Sequence, residues 1–182
     1  MGWIHKQEEF WDSYSQSLRC PLWGAEAGLS LHYTNNGQDC GKQLERLAGA
    51  ADRCQNWLEA HQADIFSAIE AGGLYDAAAE AVEDLADDEE YAEILEEGGA
   101  AWLLLDGVER IPLPYRKEDF FRSLFVEDLS ISADFKSSRF IADLFLGMSP
   151  NVFGDHSIEI FLKGDFAQDQ PAYRVTVNGL AG

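Results

Sequence analysis

Gly154-Asp155-His156, just ahead of the alternating run SIEIFL, is the one place in this chain where a histidine and a carboxylate are adjacent. A histidine at the start of a strand can act as a general base if a neighbouring carboxylate orients its ring. Successive strand residues point to opposite faces, however, so Asp155 is poorly placed to orient His156. The pattern favours a strand-entry turn whose ring bonds a loop carbonyl. Asp155 and His156 remain as an alternative site, for a small enzyme or ligand-binding domain in which His156 meets His32 or a carboxylate in a cleft.

The other reactive residue types form no motif. His5, His32 and His61 lie in no His-x-x-x-His pair, and Cys20, Cys40 and Cys54 give an odd count at spacings that fit neither a disulfide framework nor a zinc site. Cys54 falls on the apolar stripe of a helix, where a reduced thiol behaves as a small hydrophobe. There is no phosphate-binding loop, nucleophile elbow or calcium loop. No metal, cofactor or catalytic residue is expected, and an enzyme is the less favoured class.

Carboxylates dominate instead. The net charge is −20, yet residues 1–53 carry seven acids against five bases and residues 110–182 carry ten against eight. Residues 54–109 hold sixteen Asp and Glu and no Lys or Arg. Such a field repels a phosphate backbone and attracts a basic protein. The run Asp87-Asp88-Glu89-Glu90 does not suggest an ion site, because consecutive helical residues point about 100° apart. Asp76, Glu80, Glu83, Asp84, Asp87 and Asp88 are therefore read as a partner-binding face on the exposed side of a helix. An acidic mimic of nucleic acid is a further alternative. It would present carboxylates at phosphate-like spacing.

The elements that must carry these residues can be read from periodicity. Trp3, Phe10, Trp11 and Tyr14 could share one face of a short helix, with Trp3 and Trp11 as surface anchors and Trp57 and Trp102 in the core. Residues 18–24 and 28–34 read as a hairpin followed by the turn signal Asn35-Asn36-Gly37. Leu44, Leu47, Ala48, Ala51, Cys54 and Leu58 mark a helix over residues 41–60, and Ile65, Phe66 and Ile69 a second that stops at Gly72-Gly73. Leu74, Ala78, Ala81, Val82 and Leu85 mark a third. Tyr91, Ile94 and Leu95 suggest a fourth, closed by Gly98-Gly99. The run AAWLLL is ambiguous between strand and buried helix, and Pro112 and Pro114 argue against a central strand after it. A short helix over residues 116–124 precedes four alternating strands that form a meander over residues 125–178.

The expected architecture is a single α+β domain over residues 1–182. Its antiparallel sheet, of about five or six strands, combines the N-terminal hairpin 18–34 with the C-terminal meander and is covered on one face by three to four helices. The acidic block 41–109 is inserted between the two. No apolar run approaches the roughly 20 residues of a membrane span, and the N-terminus has no export-signal pattern. A cytoplasmic protein without membrane contact is the expectation.

The segment LFLGMSPNVFGDHSIEIFLKGDFAQDQPAYRVTVNGLAG resembles the C-terminal signature of a family of small bacterial domains of unknown function. In that signature a Phe-Gly-x-His-x-Ile strand precedes a polar turn and a last strand ending in Gly. Phe153, Gly154, His156, Ile158 and Gly179 carry the likeness, which extends more loosely to FFRSLFVEDLSISAD and to the hairpin near Trp23. The family is related to immunity proteins of bacterial polymorphic toxin systems. The resemblance implies a non-enzymatic cytosolic protein that neutralises a basic toxin by covering its surface, and it supplies no catalytic residues.

Overall fold

The computed structural model describes residues 2–7, 12–35, 41–87, 92–105, 108–134, 139–166 and 173–181. The chain opens with three strands, β1 (Ile4–Gln7), β2 (Asp12–Leu22) and β3 (Ala25–Asn35). Three helices follow: α1 (Gly41–Ala60), α2 (Gln62–Ala71) and α3 (Leu74–Asp87). Strands β4 (Ala92–Glu97), β5 (Ala100–Leu105) and β6 (Glu109–Leu113) lead to α4 (Lys117–Ser123). The chain closes with β7 (Leu124–Asp134), β8 (Arg139–Met148), β9 (Ser157–Asp165) and β10 (Arg174–Ala181). A seven-stranded sheet runs β1-β2-β3-β7-β8-β9-β10, and a separate three-stranded sheet runs β4-β5-β6. The architecture is α+β, as the periodicities predict.

Hairpin and meander join at one parallel contact, where β3 lies along β7 with Leu29 beside Leu129 and Leu31 beside Ile131. Every other strand pair is antiparallel. In β9 the residues Ile158, Ile160 and Leu162 are buried while Ser157, Glu159 and Phe161 are partly exposed, which is the alternation of a sheet covered on one side. The covering layer is built from Leu47, Ala51, Cys54 and Leu58 of α1, Ile65 and Ile69 of α2, and Ala78 and Val82 of α3. Each fully buried Leu or Ile contributes roughly 1.5–3 kcal/mol of transfer free energy, so the sheet face and the helical stripes hold one another in place.

Three expectations change. The described residues of the first segment, 3–7 and 12–18, form no helix: β1 and the first half of β2 extend the hairpin outward, where the ring of His5 stacks on Tyr14 at 4.6 Å. The hairpin also turns earlier than expected, at Trp23-Gly24, with positive φ of 53° and 81° as a type I′ turn requires. Trp23 tolerates this because its indole N–H donates to the Leu58 carbonyl at 3.0 Å and its backbone N–H to Glu59 Oε1 at 2.6 Å. Lastly, among the described residues the acidic block is helical over 41–87 and forms strands from Ala92 onward. The segment with Ile94 and Leu95 is β4, and Gly98-Gly99, at φ 63° and 83°, closes a hairpin to β5 instead of ending a helix. Pro112 lies in β6, an edge strand, where a missing N–H is tolerated. Asp88, Tyr91, Trp11 and the Asn36-Gly37 turn lie outside the described residues.

Candidate functional site: the acidic face

Asp76, Glu80, Glu83, Asp84 and Asp87 are all exposed on α3. Their spacing places them within roughly 100° of arc, because each helical residue advances about 100°. Leu74, Ala78 and Val82 occupy the opposite, buried side. The sequence folds this way because its apolar residues are small and recur every four positions, so all the charge is left on one side. These five carboxylates make no hydrogen bond or ion pair with any described residue. β4 packs beside α3 and carries exposed Glu93 and Glu97 on one of its faces and exposed Glu96 on the other. Exposed Glu70 of α2 adds a further charge. Two of the added acids are neutralised from outside the acidic block, Glu97 by Arg110 at 3.0 Å and Glu70 by Lys117. The stripe on α3 is left uncompensated. The acids of β4 were not assigned to this face from the sequence, because their segment reads there as another helix.

The alternative site does not assemble. Asp155 and His156 are both exposed at the end of the turn before β9, and neither bonds a described residue, so the expected loop-carbonyl bond of His156 is absent. Gly154, at φ 68°, supplies the turn. His32 lies level with Ser132, Ile141 and Lys163 in successive strands. The stretch from His156 to Lys163 covers roughly 20 Å along β9, so the two histidines cannot meet. His5 bonds Asp12 at 3.1 Å. His61 Nδ1 donates to the Trp57 carbonyl at 2.8 Å while its ring stacks on Trp57 at 4.3 Å. Both are held by their neighbours on the same or the adjacent element. Among the described residues no three His, Cys, Asp or Glu side chains converge as a metal site would require.

The two described thiols, Cys20 and Cys54, are both buried, and Cys40 lies outside the described residues. Burial pushes Cys54 up to about 12, against a smaller opposing pull from Tyr173, and burial also raises Cys20. A thiolate at neutral pH is disfavoured at both positions, so neither is a nucleophile. Trp57 and Trp102 are half-buried, and Trp3, just ahead of β1, packs against the core rather than standing free as an anchor. Among the described residues no helix is long and apolar enough to cross a membrane. Comparison with protein-family models, with curated proteins and with solved structures finds no match.

Proposed function

We propose that this protein acts by binding another protein and not by catalysis, and that its α3 stripe engages a basic partner in the cytoplasm. The observation that carries this reading is the uncompensated row of Asp76, Glu80, Glu83, Asp84 and Asp87 on a rigid, packed helix. Carboxylates fixed on one face steer a cationic surface into register and speed encounter more than they add affinity. An immunity-type role, in which the face covers a basic toxin domain, fits both the charge and the resemblance of the Phe153–Ile158 strand entry. A duplex carries two helical rows of phosphate, whereas the α3 stripe is one straight row of about 16 Å. The nucleic-acid mimic is therefore the less suitable reading.

The test looks for a gene of toxin type beside that of this protein, pairs the protein with its product and measures binding by calorimetry across a salt series. Affinity should fall steeply with salt, and the triple variant Glu80→Lys, Glu83→Lys, Asp84→Lys should bind at least about tenfold more weakly. Unchanged affinity in that variant would sink the assignment of the surface, and no binding at all would sink the immunity role.

A further inference from the structure

The helices cover one face of the large sheet and leave the other uncovered. On β8 the alternation buries Ala142 and Leu144 on the helical side and turns Ile141, Asp143 and Phe145 outward. On β9 it turns Glu159, Phe161 and Lys163 outward in the same way. The ladder sets these side chains in three rows: Ile141 beside Lys163, Asp143 beside Phe161, and Phe145 beside Glu159. An apolar zigzag from Ile141 through Phe161 to Phe145 therefore crosses the uncovered face. Ile141 is 37% exposed although its strand is flanked on both sides within the sheet.

The charges on this face are sorted along the strands. At one end Lys163 stands directly opposite Arg174 of β10. Both are exposed, and neither forms an ion pair with a described residue. The Lys163 ammonium lies instead over the Phe161 ring, 5.7 Å from its centre. At the other end Asp143 and Glu159 repel one another, and Glu159 accepts a hydrogen bond from Asn178 Nδ2 at 3.1 Å. Exposed Glu127, which accepts from Ser157, adds to this acidic end. The remaining charges balance locally: Arg139 lies opposite Asp165, and Asp128 has His32 and Arg19 within reach of its carboxylate. Like charges on neighbouring strands destabilise a sheet, so each end holds a surplus that the other lacks. Four residues of strand, about 13 Å, keep Lys163 and Glu159 of one copy from pairing.

We propose that this face pairs with the same face of a second copy of the chain, about a twofold axis that runs across the strands over Phe161. The rotation turns the second copy end for end, so Lys163 meets Glu159 of the second copy, and Arg174 comes over the Asn178 beside it. Ile141 meets Phe145 of the second copy, and the two Phe161 rings meet on the axis. The contact is isologous and closes at two copies. It makes a sandwich about 10 Å thick with strands aligned to within about 30°. Charge selects this occupant. A uniformly basic partner would be repelled by Lys163 and Arg174, and a uniformly acidic one by Asp143 and Glu159. A surface sorted in the opposite sense satisfies both ends, and a second copy turned about this axis is such a surface. Asp143 lies beside the axis and meets its own counterpart, which leaves one repulsion at the centre. The α3 stripes belong to the helical layer on the far side of each sheet and point away from the contact.

Sedimentation velocity of the whole protein, from about 10 µM to 1 mM at about 0.15 M salt, reads the association while long-range repulsion between the acidic copies is screened. A reversible monomer–dimer equilibrium is expected. Lys163→Glu and Glu159→Lys should each weaken it at least about tenfold, because each change spoils two contacts per dimer. The double variant exchanges the two ends and should return to within about threefold of the parent. Asp143→Asn should tighten the dimer by removing the central repulsion. Circular dichroism checks that each variant keeps the fold. A monomer at every concentration, a dimer indifferent to Lys163→Glu, or a double variant no better than the single ones would each overturn the proposal.

Discussion

The ring of Phe140 lies over Gly164, its direct partner across the β8–β9 ladder, so closely that a Cβ at residue 164 would overlap the ring. Phe140 cannot move aside. It is 1% exposed and packed between the rings of Phe166 and Tyr173, at 5.2 and 6.0 Å. Gly164→Ala should therefore destabilise the protein by about 1–3 kcal/mol in urea denaturation. Adding Phe140→Leu should restore part of that loss, because the two residues share one volume. Purely additive costs would show that the ring is not the obstacle.

Asp143 of β8 projects from the uncovered face of the large sheet, diagonally across the ladder from Glu159 of β9. Burial, then the Glu159 carboxylate, pushes its carboxyl above the ordinary range. The folded state thus holds this proton more tightly than the unfolded chain. The resulting stability is fully present below the ordinary carboxylate pKa and is lost as pH rises through the elevated one. Asp143→Asn should raise the midpoint of thermal unfolding at pH 7 and flatten its dependence on pH above the ordinary carboxylate range. An Asn variant less stable than the parent at pH 7 would show that the carboxylate makes a favourable contact there.

Cys20 and Cys54 should resist iodoacetamide at pH 8 in the folded protein and react in denaturant. Both are buried and both thiols are raised, Cys54 to about 12. Peptide mapping by mass spectrometry reads the two sites separately. Labelling of Cys54 under native conditions would mean that α1 opens readily from the sheet.

The α3 stripe should cost stability as well as confer charge. Glu80 lies one helical turn from both Asp76 and Asp84, so Glu80→Lys converts two repulsions into two attractions, worth about 1 kcal/mol at low salt. The thermal midpoint should rise in dilute buffer, and the gain should shrink in 1 M salt, where the Debye length is about 3 Å. A destabilised variant would imply that Glu80 has a local partner in solution.

Wherever burial imposed a period, the sequence displayed it: α1, α2, α3 and the four strands of the meander follow from the spacing of Leu, Ile, Ala and Val. β1 and the first half of β2 lack that signal. They extend past the helical layer, so Ser13, Ser15 and Ser17 alternate with Tyr14 and Gln16 and no apolar stripe forms. β4 was misread because Tyr91, Ile94 and Leu95 have helical spacing and a Gly-Gly pair can close either a helix or a two-residue hairpin. Six-residue strands on both sides of Gly98-Gly99 were the clue to the hairpin. On α3 the carboxylate stripe was legible, since exposure is the complement of an apolar period.

The parallel contact between β3 and β7 also governs the order in which the molecule can form. The hairpin β2–β3 and the meander β7–β10 can each zip through short local loops. Their junction closes only when the ends of the whole stretch from Asn35 to Leu124 meet. Loop-closure entropy grows only logarithmically with length, but it must be overcome before the central contacts give anything back. The middle seam of the large sheet, not its outer strands, thus carries the largest closure cost of any strand pairing in the sheet.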